Sequence, residues 1–180
     1  MIYRPVRTNF LTQGFGENKV DAYKKMGMQG HNGIDMACWY KEPVYHSAPW
    51  PGRVKTEVDK DGGIGVDVIS LKPFEDGYHR KLRFWHLERV LVYDGQEVSM
   101  GHKIGLGDST GLSTGHHVHL GLKRCNAKGE SIDWGNGYFG AMEFELSPQF
   151  VLDVTYPKDK EAFLAYVKSR LLEMGLSIKS

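Results

Sequence analysis

Ser113-Thr114-Gly115-His116-His117-Val118-His119-Leu120-Gly121-Leu122 sets a glycine-bearing turn directly before an alternating segment, His117 to Leu122. In a β-strand successive side chains point to opposite faces, so His117 and His119 share a face and can aim two imidazoles at one centre. Val118 and Leu120 then face a core, and His116 points elsewhere. Far upstream, His31-Asn32-Gly33-Ile34-Asp35 places a histidine and a carboxylate four residues apart. That spacing puts two ligands on one helical face, but Gly30 and Gly33 argue for an irregular loop; either geometry permits coordination. An open catalytic zinc site uses three protein ligands and leaves a position for water, whereas a structural site fills all four with protein atoms. His31, Asp35 and one of His117 or His119 meet the open-site count.

Outward from that segment the chain reads as mainly β. Its 22 glycines sit largely between short apolar, β-branched stretches, the punctuation of strands joined by tight turns. After Asp61-Gly62-Gly63, Ile64, Val66 and Val68 alternate with Gly65, Asp67 and Ile69, which predicts a half-buried strand. Leu82, Phe84 and His86 are expected to share a face. Further strands are predicted at Pro43 to Tyr45, Gly52 to Val58 and Val90 to Tyr93, and the short spacing favours antiparallel pairing. Helix signals are weak until Pro157, which opens a predicted helix running to Met174 with Gly175 as its stop. Phe163, Leu164, Val167, Leu171 and Met174 form one apolar stripe, read as docking on the protein's own core. Residues 125–147 are rich in glycine and aromatics and read as a structured loop.

The 180 residues suffice for one domain with a sizeable core, and 41% hydrophobic with 25% charged residues is ordinary for a globular protein. A formal net charge of +1, with cations interleaved with acids as in Lys158-Asp159-Lys160-Glu161, excludes a nucleic-acid footprint. No apolar run reaches the roughly 18 residues of a membrane span, and Met1-Ile2-Tyr3-Arg4-Pro5 lacks the apolar core of a signal peptide. The expectation is a monomer made in the cytoplasm. Cys38 and Cys125 are too few and too far apart in sequence for a disulfide framework, and each reads as a small buried apolar residue. His46, His79 and His102 read as surface or partly buried, and Trp39, Trp50 and Trp134 as core residues with a groove-lining role as the alternative. Gly105-x-Gly107-x-x-x-Gly111 lacks the Gly-Lys-Ser/Thr ending of a phosphate loop.

With three ligands in place, hydrolysis also needs a group that moves protons and one that stabilises an oxyanion, tasks that suit imidazole. His86 and the unused member of the His-x-His pair are the candidates. Gly30-His31-Asn32-Gly33-Ile34-Asp35, Trp85-His86-Leu87 and Thr110-Gly111-Leu112-Ser113-Thr114-Gly115-His116-His117-Val118-His119 together resemble the lysostaphin-type, or LytM-like, zinc endopeptidases. The strand and turn segments Val90-Leu91-Val92, Gly95-Gln96-Glu97-Val98 and Gly101-His102-Lys103-Ile104-Gly105 extend the likeness to about residues 11 to 123. The resemblance implies one zinc ion on His31, Asp35 and His119, with His86 and His117 assisting catalysis. It implies a twisted antiparallel β-sheet core, with peripheral loops walling a groove and one C-terminal helix added. The implied organisation is a peptidase domain over 1–156, its motif-bearing core at about 11–123 and a loop-rich extension at 124–156, with helix 157–180 packed on it.

The implied substrate is a peptide cross-link of bacterial cell-wall peptidoglycan. The missing export signal and small size further resemble a phage lysin or tail-associated wall hydrolase, delivered by lysis or virion; Asn136-Gly137-Tyr138-Phe139-Gly140-Ala141 resembles a segment of some phage-type members. Two positions depart from the family pattern: His116 stands where proline often precedes His-x-His, and Leu120-Gly121 where Phe-Glu often follows it. The competing expectations are a member that has lost catalysis and only binds wall peptides or activates a partner, and a virion component whose zinc is structural. The latter needs a fourth protein ligand, for which Cys38 is the candidate.

Overall fold

The computed structural model describes residues 1–155 together with 161, 164, 165, 168 and 169. In chain order its elements are β1 (Ile2–Arg4), β2 (Leu11–Gln13), α1 (Ala22–Lys25), β3 (Ile34–Ala37), β4 (Pro43–Tyr45), β5 (Gly52–Val58) and β6 (Ile64–Ser70). There follow β7 (His79–Trp85), β8 (Leu87–Val90), β9 (Glu97–Val98), β10 (Lys103–Gly107), β11 (His117–Cys125), β12 (Ala141–Met142), β13 (Leu146–Phe150) and α2 (Val151–Thr155). The main sheet runs β2-β3-β11-β7-β6-β5-β9, with β12 also on β11, and every pairing in it is antiparallel. A second sheet, β4-β10-β8, is antiparallel too, whereas β1 and β13 pair in parallel.

The alternation predicted for the His117 segment holds. Val118 and Leu120 are fully buried with Val66, Val68, Leu82, Phe84, Met36 and Val44 in one core between the two antiparallel sheets. The opposite face of β11, bearing His117, His119, Gly121 and Lys123, looks away from that core. β6 departs from the half-buried expectation, since Asp67 is 1% exposed and Gly65 lies beneath the Trp85 ring. Its second face is covered by side chains of β7, so the polar residue there is buried as deeply as the valines. Both β-strand predictions at Pro43 to Tyr45 and Gly52 to Val58 match β4 and β5.

Three expectations need correction. Val90 ends β8 rather than opening a strand to Tyr93, because the chain turns there through Asp94 and Gly95, with Gln96 N–H donating to Tyr93 O at 3.0 Å. His46, read as surface or partly buried, is fully buried and its Nε2–H donates to Trp50 O at 2.8 Å. Trp39 and Trp134 are 75% and 59% exposed, so only Trp50 packs on the core. Cys38 and Cys125 are buried free thiols, as expected; burial pushes their pKa values up to about 12 and about 11. The helix predicted from Pro157 to Met174 lies outside the described residues, apart from Glu161, Leu164, Ala165, Lys168 and Ser169, which are helical. Among the described residues no helix is long and apolar enough to cross a membrane.

Candidate active site

β3 and β11 pair so that Asp35 lies opposite His119 and Ala37 opposite His117, which brings a carboxylate and two imidazoles onto one face. His31 precedes β3 in an irregular loop, the alternative favoured by Gly30 and Gly33. That loop is tied to the turn after β2 by His31 N–H to Glu17 O and Gly16 N–H to His31 O, both at 2.8 Å. The result is a near-equilateral triangle of donor atoms. His31 Nε2 is 2.9 Å from His119 Nδ1 and 3.1 Å from Asp35 Oδ1, and His119 Nδ1 is 2.9 Å from Asp35 Oδ1.

Lone-pair atoms this close repel unless a proton or a cation sits among them. For zinc held at about 2.0–2.1 Å in tetrahedral geometry, ligand atoms are separated by about 3.3 Å, so the three atoms already form nearly one face of the required tetrahedron. His31 Nδ1–H donates to Gly14 O at 3.0 Å, which fixes the ring and leaves Nε2 as the ligand nitrogen. The donor set therefore fits a zinc ion with an open position. Among the described residues this group comprises His31, Asp35 and His119 alone; Cys38, the fourth ligand a structural site would need, is not part of it. Burial by itself would raise the Asp35 carboxyl, but the imidazoles of His119 and His31 packed against it outweigh that and hold its pKa well below the usual carboxylate range. Burial likewise pushes His119 down to about 4 despite Asp35 beside it, so at neutral pH the imidazole carries a free lone pair.

His86 and His117 flank the triangle, their ring centroids 4.5 Å apart and His86 6.2 Å from His119. His117 Nδ1–H donates to Gly115 O at 2.8 Å with Ser113 Oγ at 3.3 Å, and its Nε2 stands 3.6 Å from Asp35 Oδ2. His86 Nδ1–H donates to Thr110 O at 2.7 Å. Each ring thus keeps Nε2 for proton transfer. Burial lowers the pKa of His86, partly opposed by the Thr110 carbonyl, so the ring is a neutral base near pH 7.

The position of His86 corrects the sequence expectation. Alternation continues Leu82 and Phe84 into His86 and would send it into the core, but β7 stops at Trp85 and His86 adopts φ +66°. That left-handed residue swings the imidazole to the opposite face, beside His117. His116 turns away as expected, half exposed and paired with Asp108 at 3.0 Å.

Sequence reasoning missed Gly33 and Thr110. A Cβ at Gly33 would lie 2.5 Å from His119 Cε1, so only glycine admits this imidazole. Thr110 supplies the carbonyl that orients His86 and links its loop to β6 and β8: its hydroxyl accepts from Ile64 N–H at 3.1 Å and donates to Leu87 O at 2.8 Å. Both residues sit inside quoted motifs, but only the folded geometry shows their contacts.

A sheet face and its adjoining loop presenting two histidines and an aspartate at zinc-ligand spacing, with two further imidazoles alongside, is the arrangement of a metallopeptidase. Residues 29–134 match the family model for peptidase family M23, more than half of the chain, and the chain belongs to that family. It is 36% identical over 100 residues to peptidoglycan DD-endopeptidase ShyA of Vibrio cholerae, covering 51% of this chain and 20% of that protein. An uncharacterized metalloprotease of Haemophilus influenzae is 35% identical over 89 residues, covering 49% and 18%. The chain thus spans about a fifth of the length of these curated relatives. Among solved structures, a zinc containing peptidase from Vibrio cholerae superposes with TM-score 0.56 at 26% identity, over 80% of this chain and 40% of that one. The catalytic domain of lysostaphin from Staphylococcus simulans, at TM-score 0.52 and 23% identity over 71% and 90% of the chains, shares the fold.

Proposed function

We propose that this chain is a zinc-dependent endopeptidase that hydrolyses peptide cross-links of bacterial peptidoglycan, with His31, Asp35 and His119 as metal ligands and His86 and His117 as the catalytic pair. The observation that carries the reading is the 2.9–3.1 Å triangle of donor atoms with two Nε2 nitrogens free beside it. Zinc bound there supplies a Lewis acid that makes water nucleophilic at neutral pH and withdraws electrons from the scissile carbonyl. The chain's own residues do the rest. One Nε2, of His86 or His117, takes a proton from the attacking water and delivers it to the leaving amine. The other, when it carries a second proton at Nε2, donates a hydrogen bond to the oxygen that gains negative charge. Thr110 O and Gly115 O hold the two Nδ1–H groups, so neither ring reorients as charge develops.

The peptidoglycan substrate rests on likeness to a relative with that activity, the DD-endopeptidase ShyA, and on family membership. Purified sacculi of two cross-link types, incubated with zinc-loaded protein, chelated protein and His86→Ala, test it by mass analysis of products. New peptide termini that require both zinc and His86 are expected. Bound zinc without cleavage of either wall type would favour a binding or structural protein instead.

A further inference from the structure

Beyond the histidines, the same face of the main sheet carries a charge cluster with no role in the mechanism above. Register places His119, Gly121 and Lys123 of β11 beside Trp85, Arg83 and Lys81 of β7, and these beside Gly65, Asp67 and Ile69 of β6. Arg83 therefore rises one step along the sheet from His119. A Cβ at Gly121 would sit 3.4 Å from His119 Nε2, 3.6 Å from Asn32 O and 3.8 Å from Arg83 Cβ, so the buried glycine lets the His119 and Arg83 side chains lie close on either side of it. Two strand positions separate His119 from Gly121, about 6.8 Å, the span of about two residues of extended peptide.

Arg83 is held rather than free. Its Nε donates to Asp67 Oδ1 at 2.9 Å and its guanidinium lies over the Trp85 ring at 4.8 Å from the centroid. Neither Nη has a hydrogen-bond partner among the described residues, and the side chain keeps 22% of its surface open. A planar fork of N–H groups, fixed at one end and open at the other, matches a carboxylate in two parallel hydrogen bonds.

The charge around it is also unbalanced. Asp67, 1% exposed, faces both Arg83 and Lys81, whose Nζ is 3.5 Å from Oδ2. Lys123, 2% exposed, makes no ion pair among the described residues: its Nζ donates to Phe139 O at 2.6 Å and lies over the Trp134 ring. Burial, with Arg83 and Lys81 adding to it, pushes the Lys123 pKa down to about 7. Arg83 and Lys81 thus share one carboxylate, and an anion arriving at the Nη fork meets an uncompensated positive field.

We infer that Arg83 is a specificity-determining residue whose guanidinium binds a free carboxylate on the substrate within about two residues of the scissile amide, so that diaminopimelate-type cross-links are cut in preference to their amidated forms. The inference rests on the endopeptidase reading. In a cross-link ending on diaminopimelate the stereocentre that bears the scissile nitrogen also bears a carboxyl group, and amidation removes its charge while keeping its shape.

The test uses two synthetic cross-link peptides that differ only in this group, carboxylate against carboxamide, with zinc-loaded wild type, Arg83→Gln and Arg83→Lys. Wild type is expected to favour the carboxylate by roughly 10–100-fold in kcat/KM, mainly through KM, because a site built for a charge-assisted pair rejects the partner that lacks it. Arg83→Gln is expected to cleave both equally, and Arg83→Lys to recover part of the preference. Binding of the same two peptides with CH2–NH replacing the scissile amide gives a readout independent of turnover. Equal treatment of the two peptides by wild type, or a preference that survives Arg83→Gln, overturns the inference while leaving the endopeptidase reading intact. Failure of wild type to cleave either peptide or sacculi overturns both.

Discussion

His86 is the residue on which the proposed chemistry turns. A non-glycine residue at φ +66° carries a backbone cost of about 1–3 kcal/mol, and here that conformation moves an imidazole from the core side of the sheet to the side that bears His117. His86→Ala removes a proton-transfer group but no metal ligand. It should keep its zinc, measured by elemental analysis, and lose about 10²–10⁴-fold in kcat; full activity in the zinc-loaded variant would remove His86 from the mechanism. Asp35→Ala should instead lose metal and activity together. Gly33→Ala acts on a ligand from behind, since the new methyl meets His119 Cε1 at 2.5 Å and Leu120 O at 2.6 Å. Chelator competition should show zinc affinity weakened by roughly 10–100-fold, the size of effect expected when support of a metal-bound imidazole is disturbed. Unchanged affinity would mean that His119 is not held where its ligand nitrogen is needed. Spacing makes His31 and Asp35 legible as one pair and alternation makes His117 and His119 legible as another; that the two pairs meet follows from the family resemblance and, in the fold, from the pairing of β3 with β11. The orientation of His86 is not legible, because nothing local marks a histidine for the left-handed region.

Elements decide how those residues stay in place. The loop 108–116 leans on the turn before β6: Gly111, at φ +71°, has its Cα-hydrogen where a Cβ would lie 2.5 Å from Gly63 Cα. Gly111→Ala adds both a clash and left-handed strain, and should cost about 1–3 kcal/mol. By shifting Thr110 O away from His86 it should also lower kcat while zinc content stays the same. Thermal unfolding and turnover measured side by side test both halves; a variant with wild-type Tm and kcat would sink the idea. β4 and β5 were readable to the residue because their patterns are bounded by local turn residues. β11 runs three residues past its predicted end at Leu122, to Cys125, because β7 pairs with it as far as Cys125↔His79 and β12 pairs at Leu122 and Lys123. The parallel pairing of β1 with β13 joins residues 2 and 146, and such contacts leave no trace in local periodicity.

At the scale of the whole molecule, His46 couples the fold to pH. It lies fully buried where the N-terminal half meets the turn at Gly101, with Gly101 N–H donating to His46 O and His46 N–H to His102 O, both at 2.8 Å. Its side chain faces Trp50 and Phe84, and its Nδ1 is buried with no hydrogen-bond partner among the described residues. Burial pushes its pKa from the ordinary 6.5 down to about 4, the Trp50 carbonyl opposing and His102 adding to the depression. Between those two values the unfolded chain takes up a proton that the folded chain refuses. Stability therefore falls as pH drops from about 6.5 towards about 4, by up to roughly 3 kcal/mol for this group, and is unaffected by it above pH 7. At about 2–4 °C per kcal/mol for a domain of this size, the loss amounts to several degrees in Tm. His46→Gln keeps an N–H donor for the Trp50 carbonyl and removes the titration. Its Tm should decline less than that of wild type between pH 7 and pH 4.5, whatever its value at pH 7. Acid release of zinc from His31, Asp35 and His119 acts on both proteins alike and cancels in the comparison, so parallel Tm–pH curves would show that burial of His46 does not set the acid limit of this fold.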